Sequence, residues 1–167
     1  MTTHRVTATR RISAPAPVTY AIIADYRDGH PHIIPPRWFR NLRVESGGVG
    51  AGTVIDFDMI VLGSVKKARG RVEEPTPGRV LTETYTDGIV TSFIVDRVNG
   101  TSACDVTIAS DLPVHTGLQG ALERSFFNWF LRRVFFAELD LLNTVAQTRA
   151  TAKTNGERRT QPRTTAG

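Results

Sequence analysis

Four polar residues within apolar patterns are the main candidates for chemistry in this sequence. Arg10 shares the strand parity of its apolar neighbours, and Glu138 lies in the middle of an apolar helix stripe. Glu83 and Tyr85 share one face of a predicted strand. Because a buried charge costs free energy unless it is paired, two interpretations remain open. One is a structural Arg–Glu pair, and the other is a polar site that orients a ligand carbonyl or hydroxyl group.

The histidines do not form a recognisable metal-binding motif. His30 and His32 flank a proline in a loop, and neither has a cysteine or carboxylate at ligand spacing. Since a metal site needs several converging ligands, the sequence predicts no metal site. The glycine-rich segment 48–52 precedes a strand pattern rather than a helix, so it does not predict a phosphate-binding loop. No cofactor is expected.

A curved sheet must position these residues, because most of the chain alternates between apolar and polar positions. Turn residues recur about every ten positions, and Asp87–Gly88 and Asn99–Gly100 are the clearest hairpin signals. The predicted strands span residues 4–12, 40–46, 52–62, 65–74, 79–86, 89–98 and 102–111.

Two helical regions accompany the strands. Ser13 is a candidate N-cap for a short helix, with prolines in its first turn, and the segment 29–36 has room for one more helical turn. Residues 115–148 form a long helix, because apolar residues recur there at alternating spacings of four and three.

This order of elements predicts an α+β fold rather than alternating strands and helices. An antiparallel sheet of this size must twist and curl, and one helix cannot fill its concave face. We therefore expect a helix-grip architecture: a curved seven-stranded antiparallel sheet wrapped on a long C-terminal helix, with one or two short helices after the first strand. The cavity left between sheet and helix would bind an apolar small molecule.

Four short strings occur in order along the chain: ISAPAPV at 12–18, IADY at 23–26, GGVGAGT at 47–53 and VEEPTPGRVL at 72–81. Together they resemble the SRPBCC superfamily, the START-like helix-grip proteins, over residues 4–148. The resemblance implies the fold and does not specify an activity. Relatives include lipid carriers, hormone receptors, plant allergens, polyketide aromatase/cyclases and co-chaperones.

The predicted ligand site combines strand positions of concave parity with the helix stripe. The resemblance also implies that the loop around His30 lies at the pocket mouth, where His30, Ile33, Ile34, Trp38 and Phe39 would form a lid. For most of the strand positions, a plain core role is the alternative. The predicted ligand-binding residues are Arg10, His30, Ile34, Trp38, Phe57, Met59, Glu83, Tyr85, Phe93, Ile108, Phe127, Leu131 and Glu138.

Positive charge is concentrated at the C-terminus. Of the net charge of +5, residues 148–167 contribute all but one unit. We therefore expect a START-like helix-grip domain at 1–148, as the resemblance implies, and a basic disordered tail at 149–167. The domain lacks the basic face that binding to nucleic acid requires. No apolar run has the length of a membrane span or of a signal peptide, so we expect a cytoplasmic protein without integral membrane contact.

The preferred function is binding of an apolar or polycyclic small molecule, lipid-like or polyketide-like. The alternative is a polyketide cyclase/dehydrase-like enzyme that needs no metal or nucleotide cofactor; whether any reaction is catalysed stays open. A third interpretation is a protein-interaction module. Leu118, Leu122, Trp129 and Phe136 lie on the other side of the last helix, beside Arg132 and Arg133. This strip would serve as a homodimer contact through Trp129 and Phe136 or as a membrane-surface contact; the alternative is that its first half lines the pocket mouth and the rest is partly exposed.

Overall fold

One antiparallel sheet and one long helix dominate the computed structural model, which describes residues 1–160 and the side chains of 1–153 and 155. The elements are β1 (Thr2–Ile12), α1 (Ala16–Ala24), a 3-10 turn (His30–His32), β2 (Phe39–Ser46), β3 (Val54–Val61), β4 (Ser64–Thr76), β5 (Val80–Tyr85), β6 (Val90–Arg97), β7 (Cys104–Val114) and α2 (Gly117–Thr160).

The sheet has seven strands in the order β1-β7-β6-β5-β4-β3-β2. Strands β2 to β7 form a meander of consecutive hairpins, and β1 closes the order by pairing with β7 from Thr2 opposite Val114 to Ile12 opposite Cys104. This arrangement confirms the predicted α+β helix-grip fold. Gly88 and Gly100 occupy the predicted hairpin turns with φ values of 86° and 75°, a region that glycine adopts readily.

The sheet bends at two irregular pairings. The register between β2 and β3 shifts between Arg40 and Arg43, where Asn41 has a positive φ of 55°. The register between β4 and β5 shifts between Glu73 and Thr76. Because a β-bulge bends its strand and increases the local twist, these shifts contribute to the curvature that the sheet needs.

Helix α2 packs against β1, β7 and α1. Its sheet-facing stripe includes Val134, Leu139, Leu142 and Ala146, all fully or almost fully buried. Leu139, Leu142 and Ala146 follow the spacing of three and four, so this part of the amphipathic pattern identifies the face of the helix that meets the sheet. None of the helices in residues 1–160 is long and apolar enough to cross a membrane.

The start of α1 and the end of α2 differ from the prediction. Helix α1 begins after Pro15 without a side-chain cap, and the backbone N–H of Ser13 instead donates to Asn143 Oδ1. Helix α2 continues beyond 148 to Thr160, so the predicted tail is helical from 149 to 160, whereas 161–167 lie outside the described residues.

Local hydrogen bonds and one tertiary contact accompany the extension of α2. Threonine hydroxyls donate to backbone carbonyls one turn earlier, from Thr148 to Thr144 and from Thr151 to Gln147, although such bonds do not by themselves favour a helix. The Arg149 guanidinium also donates to the carbonyl oxygen of Asp28 at 2.5 Å, which ties this part of the helix to the segment after α1. The composition of this segment predicted a solvated tail, because composition contains no information about such contacts.

Candidate functional site

A cavity of about 100 Å³ lies between the concave face of the sheet and α2. Strands β2 to β7 contribute one wall, and α2 contributes the other. The lining residues are His30, Ile34, Phe39, Leu42, Ile55, Phe57, Met59, Ala68, Glu83, Tyr85, Asp87, Ile89, Thr91, Phe93, Ser110, Leu112, Leu131, Val134, Phe135 and Glu138.

Most of the predicted ligand-binding residues line this cavity. Strand parity and the helix stripe identified them, because alternate strand residues share a face and helix residues three or four apart do too. Ligand binding by these residues stays a prediction. The predicted residues that line the cavity are His30, Ile34, Phe57, Met59, Glu83, Tyr85, Phe93, Leu131 and Glu138.

Arg10 lies outside the cavity. Its side chain is 43% exposed and forms an ion pair with Asp140, which is 54% exposed, on the outer side of α2. Strand parity predicted that the Arg10 side chain points toward the cavity. Its guanidinium group lies at the surface instead, because a long arginine side chain can extend from an apolar face to a surface partner. The predicted buried Arg–Glu pair is therefore wrong.

Three other predicted site residues pack beside the cavity rather than on it. Ile108 is buried in the core of β7. Trp38 is half-buried and lies edge-on to Phe130, with ring centroids 6.5 Å apart. Phe127 is half-buried on α2 beside Phe126. None of the three is among the cavity-lining residues, so their assignment to the site is not supported.

The predicted lid is only partly correct in its geometry. His30 is 4% exposed and lies inside the protein, and Ile33 is fully buried in the core. Ile34 and Phe39 are half-buried cavity-lining residues, as expected of positions near a mouth. His30 turns inward because its Nδ1 lies 2.7 Å from the carbonyl oxygen of Ile23 and its ring stacks on Tyr26.

Glu83 is the centre of a buried hydrogen-bond cluster. Its Oε1 accepts a hydrogen bond from the Tyr26 hydroxyl at 2.5 Å, and its Oε2 accepts one from the Tyr85 hydroxyl. The Nε2 atom of His30 lies 3.8 Å from Oε1 of Glu83. Glu83 thus has two phenol donors and a nearby imidazole, which together compensate for burying a carboxylate.

The orientation of His30 follows from its contacts. A carbonyl oxygen can only accept, so Nδ1 carries the hydrogen that reaches Ile23. The remaining nitrogen, Nε2, faces Glu83.

The two tyrosines of the cluster are held as neutral donors. Burial raises the pKa of both Tyr26 and Tyr85 well above the usual value, and the nearby charge of Glu83 acts in the same direction. A phenol that keeps its proton remains a hydrogen-bond donor to the carboxylate, so the arrangement of Glu83 between two hydroxyl groups is stable over a wide pH range.

Glu138 faces the same cavity from α2 and is 5% exposed. Burial, and then the negative charge of Glu83, raise the pKa of Glu138 well above its ordinary value of 4.5. No side chain in the described part of the chain forms a hydrogen bond with its carboxyl group. The carboxyl group therefore meets the cavity rather than a protein partner.

Thr91 and Ser110 form a second polar contact in the cavity wall. They lie opposite each other on β6 and β7, and their hydroxyl oxygens are 2.7 Å apart. Since the bond between them uses one hydrogen and one lone pair, the pair keeps one donor and three acceptor lone pairs for a ligand or for water.

Tyr26 is the polar residue that the sequence-based prediction missed. It follows α1, is 1% exposed, and contributes both the stacking partner of His30 and one hydrogen bond to Glu83. The one available signal was a tyrosine in an apolar segment just before a predicted loop. Its partner Glu83 is far away in the sequence, so no local pattern could join them.

Within residues 1–160, no group of three or more His, Cys, Asp or Glu side chains could hold a metal ion. The polar groups that line the cavity are the carboxyls, the Tyr85 phenol, the hydroxyls and the imidazole described above.

The aromatic strip on α2 lies apart from the cavity. Trp129 is 51% exposed and Phe136 is half-buried. Arginine guanidinium groups cover both rings, Arg133 at 4.9 Å from the Trp129 centroid and Arg132 at 5.4 Å from the Phe136 centroid. Neither aromatic residue lines the cavity, and the homodimer contact stays a prediction.

No protein-family model matches the sequence, and no curated protein matches it. Solved structures do match the fold. The KanY protein aligns with a TM-score of 0.75 at 23% identity, over 88% of this chain and 99% of that one.

Two further structures give the same result. The ZhuI aromatase/cyclase from a Streptomyces species aligns with a TM-score of 0.70 at 18% identity, over 89% of this chain and 96% of that one. A START superfamily protein from Mycobacterium smegmatis aligns with a TM-score of 0.67 at 12% identity, over 87% and 98%. At these identities the likeness concerns the fold alone, which is the helix-grip fold of the aromatase/cyclase and START superfamily structures.

Proposed function

We propose that this protein binds a small apolar molecule with an aromatic ring in the cavity between the sheet and α2. The observation that carries this proposal is an apolar wall that surrounds a few convergent polar groups. Small-molecule sites have this composition, because apolar surface supplies affinity and the polar groups determine orientation.

The aromatic side chains of the wall favour a flat ligand. Phe57 lies edge-on to Tyr85 and to Phe39, with centroid separations of 5.7 Å and 5.5 Å. Phe93 lies edge-on to His30 at 5.6 Å. An aromatic ligand among these rings would continue the same edge-to-face packing, which contributes about 0.5–1.5 kcal/mol per pair beyond the burial of area.

The volume of the cavity limits the ligand. An apolar cavity of about 150 Å³ accommodates benzene, so a cavity of about 100 Å³ holds at most a single ring, and side chains at its rim must shift to admit a substituted one. A polycyclic, lipid-like or polyketide-like ligand, as the resemblance implies, would require the half-buried side chains of Ile34, Phe39 and Met59 to move outward.

Native mass spectrometry of protein purified without detergent tests the proposal. We expect either a retained molecule that denaturation releases, or one-to-one binding of added acetophenone or 2-acetonaphthone. Phe57→Arg should abolish binding, because the cavity wall would then carry an unpaired charge. Val65→Arg is the matched control, since Val65 is on the neighbouring strand and 61% exposed.

Circular dichroism shows whether Phe57→Arg still folds. If it does not, Met59→Trp fills the cavity from a half-buried position and should also remove binding, whereas Met59→Leu should keep it. Wild-type protein that retains nothing and binds neither ketone would contradict the proposal.

A second candidate is a cyclase/dehydrase-like enzyme that acts without metal or nucleotide cofactor. The specific observation in its favour is that possible acid and base groups line one cavity: Glu138 on α2 faces the His30–Glu83 pair from the sheet side. Groups whose environments separate their proton affinities are suited to general acid–base chemistry. The likeness to an aromatase/cyclase supports this candidate at the level of the fold.

Hydrogen–deuterium exchange tests this second candidate directly. In deuterated buffer, removal of a methyl proton of acetophenone followed by return of a deuteron converts C–H into C–D, which NMR detects. An active cavity should accelerate this exchange over buffer, and Glu83→Gln should abolish the acceleration while Val65→Arg keeps it. An exchange rate equal to that in buffer would exclude this activity for the probe.

A further inference from the structure

The two buried carboxyl groups in the cavity have unequal partners. Both oxygens of Glu83 accept hydrogen bonds from tyrosine hydroxyls, and His30 faces it at 3.8 Å. Glu138 is equally buried but has no hydrogen-bond donor among the described side chains. The cavity thus stabilises a negative charge on Glu83 and does nothing to stabilise one on Glu138.

This asymmetry determines which carboxyl group holds a proton. Two nearby carboxyl groups in a dry site do not both ionise readily, and the one without donors retains its proton. The titratable groups that interact with Glu138 are Glu83 and Tyr85 on β5 and Tyr26 after α1, and His30 and Asp87 line the same cavity. Burial, followed by the charge of Glu83, raises the pKa of Glu138, which agrees with the geometry.

A neutral carboxylic acid without a protein partner is a free hydrogen-bond donor. Catalytic and binding sites use such groups to hold an acceptor oxygen at neutral pH. No lysine or arginine is among the residues that line the cavity, so no lining side chain of the described chain carries a fixed positive charge. An organic anion would therefore lose its hydration beside acidic side chains, with no cationic lining side chain to replace it.

Resting on the proposed function, we propose that the cavity selects uncharged aromatic ligands with a carbonyl oxygen, to which the Glu138 carboxylic acid donates a hydrogen bond. The Thr91–Ser110 pair and Tyr85 line the same cavity and accommodate further hydroxyl groups of such a ligand. A ligand with a cationic amine would meet an un-ionised Glu138 and a Glu83 whose oxygens already accept from two phenols. A carboxylate ligand would join the three acidic side chains, Glu83, Asp87 and Glu138, that line the cavity.

Three probes of nearly equal size distinguish these classes: acetophenone, benzylamine and benzoate. They carry a neutral carbonyl, a cation and an anion on the same ring, and the last two stay ionised from about pH 5.5 to about pH 8. NMR titration of the full-length protein gives each dissociation constant. We expect acetophenone to bind at least tenfold more tightly than either ion at about pH 6.5.

The pH dependence gives an independent readout. Acetophenone affinity should be constant while Glu138 keeps its proton, and should then weaken by up to about tenfold per pH unit once the group ionises. Benzylamine would show the opposite trend, because its binding would strengthen as Glu138 loses the proton. The sign of the slope therefore reports the form of Glu138 that the ligand uses.

Variants of Glu138 test its role as a donor. Glu138→Gln retains an N–H donor but does not titrate, so it should bind acetophenone within about threefold of wild type and without the pH dependence. Glu138→Leu keeps the volume but removes the donor, and should weaken binding at least tenfold. Asp140→Asn, on the outer side of the same helix, is the control and should change neither.

The outcomes separate this inference from the proposed function. If benzylamine or benzoate binds more tightly than acetophenone, or if Glu138→Leu binds acetophenone as well as wild type does, the inference is overturned while the cavity remains a binding site. If none of the probes, nor 2-acetonaphthone, binds to folded wild-type protein, both the inference and the proposed function fail.

Discussion

Replacement of Glu138 by glutamine should change how the stability of this protein depends on pH. Burial and the charge of Glu83 raise the pKa of Glu138 in the folded protein well above the ordinary 4.5 that applies when the chain unfolds. Between these two values the folded state binds one more proton at this site than the unfolded state does. The stability that this site contributes is therefore complete below about pH 4.5 and is lost as the pH rises toward the folded value.

The size of the effect follows from the number of protons. One proton per molecule corresponds to about 1.4 kcal/mol of unfolding free energy for each pH unit between the two pKa values. Glutamine at this position has nearly the same volume and does not titrate. As the pH rises from about 4.5 to the folded pKa of Glu138, the unfolding free energy of Glu138→Gln should therefore increase relative to that of wild type by about 1.4 kcal/mol per pH unit. Above the folded pKa the difference should stay constant.

Urea denaturation at intervals from about pH 5 to about pH 8.5 measures this difference. A change of about 1.4 kcal/mol per pH unit is a substantial fraction of a typical total stability of about 5–15 kcal/mol, so the method can measure it. Asp140→Asn serves as the control, because that carboxylate is 54% exposed on the same helix and should follow the wild-type curve. Parallel curves for wild type and Glu138→Gln over the whole range would refute the reasoning.

Three further predictions concern other parts of the structure. Tyr26→Phe removes a buried hydrogen bond to Glu83 and should lower the free energy of unfolding by about 1.5–3 kcal/mol in urea denaturation; a loss below about 0.5 kcal/mol would contradict this. Arg10→Ala removes an exposed ion pair with Asp140 and should cost less than about 1 kcal/mol without weakening acetophenone binding; a tenfold weaker affinity would return Arg10 to the site. Sedimentation velocity should show self-association that Trp129→Ser removes, and a wild-type protein that stays monomeric at high concentration would oppose the homodimer.

The fold could be predicted from the sequence because local patterns determine its strands, turns and long helix. Strand alternation, hairpin turns such as Asp87–Gly88 and the apolar stripe of α2 each act over a few residues and agree with one another. Their agreement was enough to predict the sheet, the helix that covers it and the cavity between them. The errors lie at element ends, at Ser13 and beyond residue 148, where single contacts decide whether a helix starts or continues.

The cavity wall was partly predictable for the same reason. Phe57, Met59 and Phe93 line it because alternate residues of a strand share a face. Arg10 obeys the same parity and nevertheless reaches the surface, because a long flexible side chain can bring its charge to Asp140. Periodicity predicts where a Cβ atom points, and it does not predict where a charged group at the end of a long side chain lies.

The sequence by itself determined that this chain forms a curved antiparallel sheet on a long helix, and that Glu83, Tyr85 and Glu138 are polar residues on apolar faces. Only the tertiary structure decided their roles. Tyr26 donates to Glu83 across a separation of 57 residues, whereas Glu138 receives no such donor. The protonation and function of a buried acid depend on which groups surround it in space, and those groups come from distant parts of the chain that no local pattern connects.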